Sequence, residues 1–206
     1  MSTLTLQKPI SNSYKPVKNL LSEGSTNIKT AKNSLKTYIL YLAPSNIVDG
    51  LNLCPFASNG CKKACLYSAG RGKFSNVQLA RINKTKFWGY SREAFYIQLA
   101  NELMIIHDRA IKNEINIAIR LNGTSDIPFE KFKIVDNKNI FELFPSVQFY
   151  DYTKNHLRFD KVKVWLYNYC IKKETSCDHT TGHVQNSPTG YEAPPNLRQV
   201  LPKNGT

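Results

Sequence analysis

Apolar positions along the chain fall into short blocks separated by polar stretches, and the blocks differ in period. In residues 35–43 (Leu-Lys-Thr-Tyr-Ile-Leu-Tyr-Leu-Ala) they run almost without a break. That is the pattern of a strand buried on both faces of a parallel sheet, and Pro44 ends it. Phe95, Leu99, Leu103 and Ile106 recur at helical spacing and give a helix from Ser91 to about Lys112 one core-facing side. Glu93 lies in its first turn, where the helix dipole favours an acid, although Ser91 with Ala94 lacks a full capping box. A shorter helix precedes it, from about Asn76 to Trp88. Residues 115–121 (Ile-Asn-Ile-Ala-Ile-Arg-Leu) predict a second strand, 129–137 a short helix, 146–152 a third strand and 161–169 a fourth. Residues 1–34, rich in Ser, Asn, Thr and Lys, read as a flexible basic arm, 35–171 as the folded domain, and 172–206 as a polar tail.

This order predicts an α/β fold built of βα repeats, either a partial parallel barrel or an open sheet. Ligands of such sheets gather at the carboxyl ends of the strands. Here those ends carry the long loop 44–75, the turn Asn122-Gly123-Thr124-Ser125-Asp126, and the segment Asp151 to Lys154. Three polar clusters therefore share one expected edge.

The loop holds three of the five cysteines, Cys54, Cys61 and Cys65; the others are Cys170 and Cys177. An odd count, with no apolar leader at the start of the chain, argues against a disulfide framework and for a cytoplasmic protein. No apolar run is long enough to span a bilayer, so no membrane partner is expected. Cys61 and Cys65 are four positions apart, so one helical turn carrying both would place their thiols on one face. Cys54 can return across the Pro55–Gly60 stretch. Three convergent thiolates suit a 4Fe-4S cluster with one iron left open. They equally suit zinc, with a fourth ligand from Cys170, Cys177, His179 or His183. Reduced structural thiols without metal are the plainer reading. Lys62, Lys63 and Arg71 stand close enough in sequence to favour thiolates.

The net charge of +13 and pI near 9.5 point to a polyanion, nucleic acid or nucleotide, unless the lysines only solvate the surface. Within 71–86, Arg71, Arg81 and Lys84 are candidates for phosphate contact, and Arg71 lies between two glycines that let a backbone approach a ligand. Asn122, Thr124, Ser125 and Asp126 are candidates for binding a cofactor; the alternative is a turn that caps the next helix. Asp151 and Lys154 are candidates for substrate contact or a structural pair. Arg120, inside an apolar strand, needs a partner, and Asp126 or Asp151 would supply one. No phosphate-binding glycine motif of the P-loop or dinucleotide kind is present. Nor do His107, on a helix, or the isolated His156 form a Ser-His-Asp or Cys-His arrangement.

Several strings resemble the phage gene product 88 domain family. They are Leu40-Tyr-Leu-Ala-Pro44, Asn52-Leu-Cys-Pro55, Ala57-Ser58-x-Gly60-Cys61-x3-Cys65-Leu66, Ala69-Gly-Arg-Gly72 and Ala80-Arg-Ile-Asn-Lys-Thr85. Arg120-Leu-Asn-Gly-Thr-Ser-Asp-Ile127 and Phe144-Pro-x-Val-Gln-Phe-Tyr-Asp-Tyr-Thr-Lys154 belong to the same set, which covers roughly residues 27–158. The resemblance implies a bacteriophage or prophage origin and the host cytoplasm. It also implies further strands after Arg158, which would make 172–206 a truncated or divergent tail. At the level of fold, the cysteines after the first strand are similar to those of radical S-adenosylmethionine enzymes, though more widely spaced. That likeness implies S-adenosylmethionine near Asn122–Asp126 and a radical-type enzyme acting on a nucleotide or macromolecule. The alternative is a zinc-containing nucleic-acid-binding protein without catalysis.

Overall fold

The computed structural model describes residues 15–24, 35–155 and Arg158. Its strands are β1 (Leu21–Glu23), β2 (Lys36–Leu40), β3 (Ile117–Arg120) and β4 (Gln148–Phe149). Its helices are α1 (Asn59–Lys63), α2 (Ser75–Tyr90), α3 (Arg92–Lys112) and α4 (Ile140–Leu143). Short 3-10 turns lie at Leu66–Ser68, Gly70–Lys73 and Phe129–Lys131. The strands form one open sheet in the order β1-β2-β3-β4. β2, β3 and β4 run parallel, and β1 pairs antiparallel on the edge of β2. The α/β class holds, in its open-sheet form.

Burial explains why these segments take these forms. β2 is buried at four of its five positions, which is why its apolar run does not alternate. α3 turns Phe95, Leu99, Leu103 and Ala110 inward, with Phe95 and Leu99 fully buried, and matches the helix expected from the apolar spacing. α2 and α3 meet at Ser91, whose carbonyl accepts from Phe95 N at 2.9 Å. Phe87 packs edge-on to Phe95, with ring centres 5.5 Å apart. Each fully buried Phe or Leu of this kind contributes about 1.5–3 kcal/mol.

Three expectations change. The arm is not featureless: Leu20 is completely buried and Leu21–Glu23 form a strand. The Glu102 carboxylate on α3 accepts from the backbone of Leu20 at 2.7 Å and of Leu21 at 2.9 Å, which fixes a segment too short to declare itself. The helix expected at 129–137 is one 3-10 turn. Beyond it Asp136 and Asn137 adopt φ of 50° and 56° inside a Val135–Lys138 bridge. Two successive positive φ values define a primed hairpin turn, and Asp and Asn tolerate it. The third strand pairs only at Gln148–Phe149. The fourth strand (161–169) and the tail (172–206) lie outside the described residues.

Candidate functional site: the cysteine loop and the polar turn

The ends of β2 and β3 are tied together by the polar turn. Gly123 N donates to the Leu40 carbonyl at 3.0 Å. A side chain at Gly123 would meet Ile39, Tyr41 and the Leu40 carbonyl, all under 3.0 Å, so the approach requires glycine. Thr124 Oγ1 donates to the Leu42 carbonyl, and Asp126 N donates to the Leu53 carbonyl at 2.8 Å. The turn thus holds the chain just before Cys54.

The side chains of this turn are occupied. Asn122 Oδ1 accepts from Ser125 Oγ and Ile127 N, both at 2.8 Å. Its Nδ2 donates to the Ile127 carbonyl at 2.9 Å and to Asp151 Oδ2 at 2.5 Å. Asp126 accepts from Lys154 N at 2.9 Å and pairs with Arg158 Nη1 at 3.0 Å. Arg158 also pairs with Glu130 at 2.8 Å. Asn122, Thr124, Ser125 and Asp126 therefore do come together at the expected edge, spending their polar groups on internal bonds.

Asp151 is brought to the same network. Its residue is exposed at the outer edge, while its carboxyl oxygens face Asn122 and the Tyr152 amide. Loss of water around that carboxyl pushes it above the usual aspartate range, against the pull of Asn122. Lys154 enters through its backbone, and its residue is exposed. Arg120 takes neither expected acid as a hydrogen-bond partner. It stacks on Tyr152, 4.7 Å from the ring centre, and donates from Nε to the Asn122 carbonyl. Asp126 already belongs to Arg158, which explains the difference.

The cysteine loop is more open. Ser58 caps α1 by accepting from Cys61 N at 3.1 Å. The helix ends at Lys63, and Cys65 has an extended backbone, so Cys61 and Cys65 do not share a helical face. All three cysteines are free and half-buried. The Cys54 thiol approaches the Thr124 carbonyl at 3.8 Å. Burial pushes this thiol up, and Asp126, Cys65 and Cys61 add to the effect. Among the described residues no three His, Cys, Asp or Glu side chains stand close enough to hold a metal. The donor chemistry of three free thiols on one loop fits a soft metal. The positions of the thiols here do not close around one. Cys170, Cys177, His179 and His183 lie outside the described residues.

The three basic candidates separate. Arg71 is exposed. Lys84 donates to the Leu20 carbonyl at 2.7 Å and so anchors the segment before β1; burial pushes its ammonium down. Arg81 is buried beneath the loop between the Tyr41 and Tyr67 rings. Sequence reasoning missed those two tyrosines and Thr85, whose fully buried hydroxyl accepts from Ala43 N at 2.8 Å. It also missed that the basic excess is local. Between Asp49 and Glu93 the chain has no acid and eight basic residues: Lys62, Lys63, Arg71, Lys73, Arg81, Lys84, Lys86 and Arg92.

Fold and site together define an open-sheet α/β protein that carries a cysteine loop at the carboxyl edge of its parallel strands. The chain belongs to the Gene product 88 family, whose model matches residues 18–190. The match runs past 27–158 on both sides, so residues 172–190 of the expected divergent tail fall inside it. No curated protein and no solved structure matches the chain. Among the described residues no helix is long and apolar enough to cross a membrane.

Proposed function

We propose that Cys54, Cys61 and Cys65 together hold a soft-metal centre, a 4Fe-4S cluster, in a radical-type enzyme acting on a nucleotide or macromolecular substrate. The observation that carries this reading is the placement of three free, half-buried thiols on one loop over the strand ends. Such a cluster, held by three thiolates, supplies one-electron chemistry and an open iron for a small molecule, here S-adenosylmethionine. In this reading the chain's own residues do the holding. Asn122, Thr124, Ser125 and Asp126 fix the floor of the site, with Asp151 and Lys154 at its rim. Exposed Lys62, Lys63, Arg71 and Lys73 attract an anionic substrate.

Anaerobic reconstitution of the full chain with iron and sulfide tests this reading. The expected result is a brown protein with a sulfide-to-iron absorption band that Cys61→Ala abolishes. A colourless protein with no bound iron rejects it.

The acid-free stretch between Asp49 and Glu93 favours a second reading, a zinc-bearing protein that binds nucleic acid without catalysis. It expects stoichiometric zinc and DNA affinity that falls steeply with added salt; affinity indifferent to salt removes it.

A further inference from the structure

The first turns of α3 and the segment that follows the 3-10 turn Phe129–Lys131 enclose a cavity of about 260 Å³. Its inner wall is apolar: Tyr96 and Ile97 come from α3, Phe132 and Ile134 from the segment. Its exposed rim carries Arg92, Glu93 and Lys133. None of these residues belongs to the cysteine loop or to the polar turn.

The wall is braced from behind. The Tyr96 ring stacks on Phe132, with centres 5.2 Å apart, and meets Phe95 and Phe129 edge-on at 5.7 Å and 6.0 Å. Trp88 Nε1 donates to Tyr96 Oη at 3.3 Å. A preformed concave surface, mostly apolar with a few polar groups at its edge, is the usual form of a small-molecule site.

The rim singles out Arg92. Its guanidinium lies 4.3 Å from the Trp88 ring centre and 5.5 Å from that of Phe132, so two aromatic faces restrain it. Among the described residues no carboxylate and no carbonyl takes its N–H donors. Lys133 differs: it spends its charge on Glu142 at 3.0 Å. A planar fork of donors, restrained beside an apolar cavity and left unmatched, suits a carboxylate, which accepts two parallel N–H bonds. Glu93 adds a negative charge to the same rim, so a monoanion fits better than a phosphate dianion.

We propose that this cavity binds a small apolar acid, its hydrocarbon body against Tyr96, Ile97, Phe132 and Ile134 and its carboxylate on Arg92. Burial of the apolar body supplies most of the affinity, and Arg92 selects the head group. The site stands apart from the metal reading, and neither depends on the other.

Titration of the full chain with phenylbutyrate tests the proposal, followed by the Trp88 indole N–H resonance, which Trp165→Phe assigns. Phenylbutanol and phenylbutylamine are the head-group controls. The expected result is saturable binding of the acid with a dissociation constant on the order of 1 mM, the scale for a ligand of this size. The alcohol and the amine bind about tenfold more weakly, the worth of a charge-assisted pair of bonds. Arg92→Gln weakens the acid by about the same factor and leaves the alcohol unchanged. Ile134→Trp, which fills the cavity, abolishes binding of the acid. Alcohol or amine binding as tight as that of the acid overturns the proposal, as does equal affinity of wild type and Arg92→Gln for the acid. No saturable shift in wild type, or undiminished binding by Ile134→Trp, overturns it as well. Far-UV circular dichroism confirms folding; if Arg92→Gln unfolds, Arg92→Met carries the same comparison, and if Ile134→Trp unfolds, Ile97→Phe fills the cavity in its place.

Discussion

The polar turn at the end of β3 and the cysteine loop after β2 sit on the same edge but use their chemistry in opposite ways. The turn is closed. Asn122 is 1% exposed and its side chain makes four hydrogen bonds, and Thr124, Ser125 and Asp126 are buried beside it. The loop is open. Its three thiols are half-buried, and Phe56, Leu66 and Phe74 stand out into solvent around them. A polar cluster at a strand end is therefore not one kind of object. One cluster has spent its donors and acceptors on the fold. The other has kept reactive groups back, and it is supported by the first through the Asp126–Leu53 bond and the Cys54–Thr124 approach.

Substitution separates the two regions. Asn122→Ala strips a buried hub and takes away the partner of Ser125 Oγ, the Ile127 amide and Asp151 Oδ2. A loss of about 3 kcal/mol in unfolding free energy, measured by urea denaturation, is the expected outcome. A loss near zero would mean that the turn does not hold the strand ends.

The effect at Asp151 is smaller and depends on pH. Its carboxyl is raised above the aspartate range in the folded chain, so the fold favours the protonated form. The stability contributed is complete below the unfolded chain's value and is lost as pH rises through the raised folded value. The stability of wild type relative to Asp151→Asn should therefore decline as pH rises from the ordinary aspartate range through the raised folded value. An increase with pH would show that Asn122 and Arg158 dominate over burial.

Cys61→Ala, in the open loop, should move metal-free stability least, by under ~1 kcal/mol, because it removes a half-buried side chain and keeps the cap bond that the Cys61 backbone amide donates to Ser58. A loss as large as that of Asn122→Ala would make the thiol structural and erase the contrast between the two regions.

Much of the frame was readable from the chain. The run Thr37–Leu40 and the spacing Phe95, Leu99, Leu103 carry their own signals, because burial on two faces and burial on one helical side leave distinct periods. β1 left no such signal: its hold comes from Glu102 on α3, and Lys84 on α2 anchors the preceding Leu20, both far along the chain. The Asp136-Asn137 turn was legible in principle, since the pair suits two positive φ values, but the flanking apolar residues imitated a helix. In the candidate site, the position of the cysteine loop and the polar turn at the strand ends was legible and the commitment of Asn122 was not. Residue type states what a side chain can bond to; only the fold states whether it has already done so.

The pairing of β2 with β3 has a consequence for the order of assembly. Lys36 lies opposite Ile117, 81 positions later in the chain. Parallel pairing across such a span closes a long loop before any contact rewards it, which makes it a slow step. The bonds from Gly123, Thr124 and Asp126 to Leu40, Leu42 and Leu53 form only after that closure. On a newly made chain, then, the loop that carries the cysteines is not tied to the strand ends for as long as β3 is missing.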